Sequence, residues 1–140
     1  MASVPSWDDF VEENLLHSNL FCGVCLLSQL GDIVYTFGQL TNLSEGETRQ
    51  FLRAFQMTSQ KAEQKIMEEG FTLTFLGEKQ TQFKIYSKTF CSIYCTSTDN
   101  RLGLTVSKLP YGVLACLYAY PITAVKAVKQ VELFCDKLRL

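Results

Sequence analysis

Histidine is almost missing from this chain: His17 is the only one in 140 residues. A Cys–His nucleophile pair therefore has one possible base, and local spacing gives His17 no acidic third partner. The sequence also lacks G-x-S-x-G, a P-loop and G-x-G-x-x-G. Its paired carboxylates are adjacent residues, Asp8-Asp9, Glu12-Glu13 and Glu68-Glu69. On a helix, adjacent side chains diverge by about 100°, so these pairs read as solvated faces or partners of a helix N-terminus. The chain is not expected to be an enzyme.

Basic excess is missing too. Thirteen Lys and Arg face fourteen Asp and Glu, for a net charge of -1, which argues against a nucleic-acid partner. The longest apolar run, around Val113 to Ile122, is too short for a bilayer. The opening MASVPSWDDF has neither a basic nor an apolar leader segment. A cytoplasmic location is the expectation. No repeat and no low-complexity segment appears.

What is present is apolar: 47% hydrophobic residues against 19% charged. That composition supports one folded domain over residues 1–140. Six cysteines stand at 22, 25, 91, 95, 116 and 135. Cys22 and Cys25 form a C-x-x-C, a possible zinc half-site or redox pair. The run LFCGVCLL reads as a buried strand, and an offset of three would point the two thiols to opposite faces. Cys91 and Cys95 would share a face but lack a partner histidine. Packing as reduced, small hydrophobes is the better reading of all six. No metal or cofactor is expected.

Periodicity places the elements. Ser6 opens a capping box for a helix over about Trp7 to Leu16, with Val11 and Leu15 facing inward. Leu20 to Leu27 and Asp32 to Phe37 read as strands joined by a Gly31-Asp32 turn. Ser44 and Glu47 form a second capping box ahead of Phe51, Leu52 and Phe55. Gln60 to Glu69 is a further helix closed by Gly70. Five short strands follow: Phe71 to Leu76, Thr81 to Tyr86, Phe90 to Thr96, Leu102 to Lys108 and Val113 to Tyr118. Gly77-Glu78, Ser87-Lys88, Asp99-Asn100 and Pro110-Tyr111-Gly112 supply the turns. The class is α+β: an antiparallel meander with the N- and C-terminal helices on one face and the two middle helices elsewhere.

The last helix carries the most suggestive pattern. Ala124, Ala127, Val128, Val131, Phe134, Cys135 and Leu138 fall in an arc of roughly 120°, a core-facing stripe. Val125 and Leu133 lie on the opposite, polar face. With Lys129 between them they form one row at i, i+4, i+8. Lys126, Lys129 and Lys137 cluster within about 80° on the same side.

These elements and motifs resemble profilin. Trp7 and Phe10 resemble the family's opening W-x-x-[YF] helix, and Gly31-Asp32-Ile33-Val34 its G-S-V-W turn. Leu43 to Phe55, with Glu47, is similar to the family's next helix. Gly70-Phe-Thr-Leu with Leu76-Gly77, and Leu104-Thr105-Val106-Ser107-Lys108, resemble G-L-x-L…G-G and V-T-V-x-K. Leu117 to Thr123, then Val131-Glu132 and Asp136-Lys137-Leu138, resemble I-Y-x-x-P-M-T…V-E-x-L-G-D-Y-L.

The resemblance implies a binding protein. Profilins take monomeric actin on one surface, proline-rich segments on another, and phosphoinositides. By matched position the actin face would hold Thr123, Val125, Lys129 and Leu133, with Lys79, Lys84 and Arg101 from the sheet. The proline-rich cleft would hold Trp7, Phe10, Val34 and Lys137. Val34 replaces a tryptophan, Phe10 a tyrosine, and Lys137 a histidine or tyrosine. Tyr35 would face the other side of its strand. A degraded cleft with weak or lost proline-rich binding is therefore expected. The expected function is regulation of actin filament assembly by a cytoplasmic, cytoskeletal monomer. The alternative is a profilin-fold phosphoinositide-binding or adaptor module that has lost actin.

Overall fold

The computed structural model describes residues 7–56, 59–75 and 80–139. Seven strands form one antiparallel sheet in the order β2-β1-β7-β6-β5-β4-β3. They are β1 Gly23–Ser28, β2 Ile33–Gly38, β3 Phe71–Thr74, β4 Gln80–Lys88, β5 Ser92–Ser97, β6 Leu102–Leu109 and β7 Gly112–Ala119. Helices α1 Trp7–Asn14, α2 Glu45–Arg53, α3 Gln60–Glu69 and α4 Ala124–Leu138 complete the fold. Ser6 and the Gly77-Glu78 turn lie outside the described residues.

The helix ends follow their caps. The Ser44 hydroxyl accepts from the Glu47 N–H at 3.2 Å, and Glu47 Oε1 accepts from the Ser44 N–H at 3.1 Å. That satisfies two donors that helix geometry leaves over. The Ser59 and Thr123 hydroxyls cap α3 and α4 by accepting from the Ala62 and Lys126 N–H groups at 3.1 and 3.4 Å, without a reciprocal bond. α3 stops at Gly70, whose φ of 66° suits glycine; a Cβ there would strike the Phe83 carbonyl. α1 stops at Asn14, two residues short of the expected Leu16. A turn of 3-10 helix over Leu16–Ser18 follows it.

Strand alternation divides the interior in two. From β1, Cys25 and Leu27 enter a cluster with Phe51 of α2, Phe71, Phe83, Ile93 and Leu104. Val24 and Leu26 enter the other, with Val11 and Leu15 near α1 and Ala127, Val131, Phe134 and Cys135 of α4. α2 and α3 therefore cover one face and the terminal helices the other, as the sequence pattern predicts. Each fully buried Leu or Phe stabilises the fold by about 1.5–3 kcal/mol.

Two bulges interrupt the alternation. Leu26 pairs with Tyr35 but Leu27 pairs with Ile33, so Val34 is an extra residue in β2. Likewise Ile85 pairs with Cys95 and Ser87 with Tyr94, which leaves Tyr86 extra in β4. The first bulge corrects an expectation. Val34 and Tyr35 do not face opposite ways; both pack against the terminal-helix cluster.

Candidate functional site

On α4 the inward stripe and the outer row separate as expected. Ala127, Val131, Phe134 and Cys135 are fully buried, while Val125 is 79% and Leu133 50% exposed. Lys129 between them is exposed. Thr123 is the N-cap residue, exposed, with its hydroxyl turned to the Lys126 N–H.

The start of α4 borders an opening on the sheet. Beside Ala124 lies a shallow depression of about 340 Å³, lined among others by Tyr86, Thr96, Arg101, Tyr118 and Tyr120. Tyr118 forms its floor: the ring lies so close over Gly103 that no side chain fits there. Burial first, and then Tyr86, pushes the Tyr118 hydroxyl well up, so it stays a neutral hydrogen-bonding group. Tyr86 and Tyr120 stand at the rim, 52% and 81% exposed. Tyr86 leans toward Tyr94, with ring centroids 6.5 Å apart. Lys84 is exposed and pairs across the ladder with Thr96, which places it on the same face. Arg101 is exposed. Lys79 lies outside the described residues.

The structure thus places Arg101 in a depression that Ala124 also lines, Lys84 on the same face of the sheet, and Thr123, Val125, Lys129 and Leu133 on the exposed side of α4. Sequence reasoning missed Tyr86 and Tyr120. Tyr86 shares the face of Lys84 by simple alternation, and that signal was passed over. Tyr120, beside Pro121, was legible only as part of a motif.

Glu132 fastens this face to the sheet. Its Oε1 accepts from the Ser92 and Tyr94 hydroxyls, each at 2.9 Å, and its Oε2 from Arg139 Nη1 at 3.3 Å. The Arg139 guanidinium also donates to the Cys91 and Lys108 carbonyls. The outer row therefore sits on a helix fixed at its C-terminal end.

The second candidate site lies between the terminal helices. Trp7 and Phe10 meet edge to face at 6.0 Å, and Phe10 rests against Phe134 at 5.3 Å. Both are half-buried. Val34 packs nearby in the same cluster. Lys137 donates to Asn14 Oδ1 at 2.7 Å, so its ammonium ties α4 to α1. Tyr111, at the tip of the β6–β7 hairpin, stands 6.2 Å from Trp7 and is 57% exposed. Sequence reasoning took Pro110-Tyr111-Gly112 only as a turn. The signal it passed over was a large aromatic where turn chemistry needs none. Tyr35 is buried, and burial, Glu12 and Asp8 together raise its hydroxyl.

The four buried cysteines supply no reactive centre. Cys22 precedes β1 and does not alternate with it, so both C-x-x-C thiols belong to the same cluster, contrary to the expectation of opposite faces. Burial pushes Cys25 up to about 11 and Cys135 to about 12, and raises Cys95 and Cys116 as well. Such thiols stay protonated and are poor nucleophiles. No group of three metal-binding side chains exists among the described residues. No helix among them is long and apolar enough to cross a membrane.

The family model for profilin matches residues 5–140. No curated protein sequence matches this chain. Among solved structures, the profilin of Schizosaccharomyces pombe is 19% identical, with a TM-score of 0.75 over 95% of this chain and 96% of its own. LokiProfilin1 in complex with rabbit actin is 12% identical, at 0.65 over 94% and 93%. Mouse profilin IIa, in complex with a double repeat from the FH1 domain of mDia1, is 9% identical, at 0.70 over 96% and 97%. At these identities the structures establish the fold; the match of the family model over nearly the whole sequence places the chain in the profilin family, whose members are not enzymes.

Proposed function

We propose that this chain binds monomeric actin through the outer face of α4 and the adjoining sheet, and so regulates filament assembly in the cytoplasm. One observation carries the reading: Val125, Lys129 and Leu133 form an exposed row that the core does not explain. The Tyr86–Tyr120 depression, which Arg101 lines, opens beside Ala124 at the start of the same helix, and Lys84 pairs with Thr96 of its lining. Apolar centres with charged edges are the usual anatomy of a protein interface. LokiProfilin1, of the same fold, is seen in complex with rabbit actin.

A titration of labelled monomeric actin tests this. Micromolar binding is expected, weakened about tenfold, or about 1.4 kcal/mol, by Lys129→Glu. A folded protein that fails to bind at tens of micromolar overturns the reading.

The proline-rich cleft belongs to the same proposal in a reduced form. Val34 offers no flat ring, and Lys137 is engaged with Asn14. Trp7 and Phe10 remain, so we assign weak binding there. A phosphoinositide role has thinner support, because Lys137 leaves only Lys126 and Lys129 of the lysine cluster uncommitted to another helix.

A further inference from the structure

The two edges of the sheet are finished differently. At one edge, Gln50 of α2 donates to the Thr72 carbonyl at 2.7 Å and accepts from the Thr72 N–H at 2.9 Å. Glu47 accepts from the Thr74 N–H. Side chains of α2 thus stand where another strand would pair with β3. The other edge, β2, has no such cover. The Gln39 N–H donates to the Cys22 carbonyl, in register with the β1–β2 ladder. The bonded positions then fall at 39, 37 and 35, and Thr36 turns its N–H and C=O outward. Among the described residues no side chain bonds to those two groups. Ile33–Gly38 contains no charged residue and no proline, the usual protections of an edge.

The two faces beside this edge differ in chemistry. On the α2 face, Ile33 stands with Leu30, Leu43 and Leu52 around a groove of about 350 Å³. Leu30 is 90% and Ile33 54% exposed, so its mouth is apolar and open. Arg49, the one cation of the lining, is tied to Glu45 at 2.6 Å. On the opposite face α1 rests against β2. α1 carries acidic side chains and no basic one. Asp8 and Glu12 lie one turn apart, are exposed, and bring their charge to the Tyr35 hydroxyl of β2.

We propose that β2 accepts an extended segment of a partner protein as an added strand, one that alternates apolar with basic side chains. A strand paired at Thr36 sends successive side chains to opposite faces. Those on the α2 face meet the Leu30–Ile33 groove, where an aliphatic chain leaves water. Those on the α1 face meet Asp8 and Glu12, where a lysine or arginine finds opposite charge. A second copy of this chain does not fit, because its β2 offers no basic residue and its Asp8 and Glu12 repel those of the first. An acidic segment fails for the same reason. The bulge at Val34 breaks regular pairing next to Tyr35, so the added ladder centres on Thr36 and is short.

A fluorescein-labelled seven-residue peptide alternating lysine with isoleucine tests this by anisotropy, beside a matched peptide with glutamate in place of lysine. The lysine peptide should bind at least about tenfold more tightly, a preference that salt reduces. Hydrogen exchange should show the Thr36 amide gaining protection when that peptide is bound. Thr36→Pro removes the outward donor and spares the β1 ladder. Ile33→Lys, at a position already exposed, puts a charge at the groove. Each should weaken binding about tenfold, and Ile33→Lys serves alone where the proline variant does not fold. Glu12→Lys should narrow the preference for lysine. Equal binding of the two peptides overturns the proposal, as does no binding of either at several hundred micromolar. So does binding that leaves Thr36 exchange unchanged. Thr36 protection that rises with protein concentration alone gives the edge to a second copy and overturns it too. These variants leave the α4 row intact, so the actin reading stands or falls separately.

Discussion

Glu132 on α4 accepts a 2.9 Å hydrogen bond from the Tyr94 hydroxyl on β5, across a sequence gap of 38 residues. The same oxygen takes a second bond from Ser92, and the other oxygen one from Arg139. One carboxylate thereby joins the middle of the sheet to the end of the last helix. Hydrogen bonds to a charged group contribute about 1.5–3 kcal/mol, and removing one partner strands the others. Glu132→Ala should lower unfolding free energy by about 2 kcal/mol in a urea titration. Tyr94→Phe, which removes one bond only, should cost less.

Thiol chemistry should divide the cysteines in two. Cys22 and Cys91 are half-exposed, and the other four are buried. A thiol-specific chromogenic reagent at neutral pH should label those two and reach the rest only on unfolding. The raised thiols also set a pH dependence. Their folded values lie above the ordinary 9, so the folded state holds the proton more tightly. Stability is fully present below pH 9 and falls as pH climbs toward 11 and 12. Urea midpoints measured from pH 8 to 11 should decline steadily across that window.

Gly103 is fixed by the ring above it. A Cβ at this position would occupy the space of the Tyr118 ring. Gly103→Ala should cost about 1–3 kcal/mol through forced displacement. It should also flatten the depression at the end of the α4 row and so weaken actin binding. A smaller residue in place of Tyr118 should recover part of the lost stability, a coupling that a double-mutant cycle reads directly.

Trp7 is the only tryptophan, so its fluorescence reports on the cleft. Tyr111 touches it edge to face. Tyr111→Ala should shift Trp7 emission to the red as water replaces the ring. A proline-rich peptide should perturb the same signal only at high concentration, and Tyr111→Ala should weaken that response further. An unchanged Trp7 spectrum in Tyr111→Ala would show that the ring pair does not shape the cleft.

Much of the architecture was legible because burial and periodicity coincide. The α4 stripe predicts its own buried residues, and Ser44 with Glu47 predicts a capping box that the geometry reproduces. What stayed hidden depends on partners far along the chain. Nothing local in β2 or β4 announces that Val34 and Tyr86 are extra residues, since a bulge is a property of two strands. Cys22 misled because the apolar run begins before the strand does. Of the candidate site, the α4 row was readable from 3.6-residue periodicity. Its extension over Tyr86 and Tyr120 needed the fold to bring together residues 34 positions apart.

The bulge at Val34 has a consequence for how the cleft can change over generations. Ile33 and Tyr35 already oppose consecutive residues of β1, so the sheet makes no demand on the residue between them. That residue is the one where the family resemblance anticipates tryptophan. Its side chain can be exchanged for a ring or an aliphatic without disturbing a single cross-strand pair. The fold thus leaves one recognition position free to drift while the frame around it is held constant.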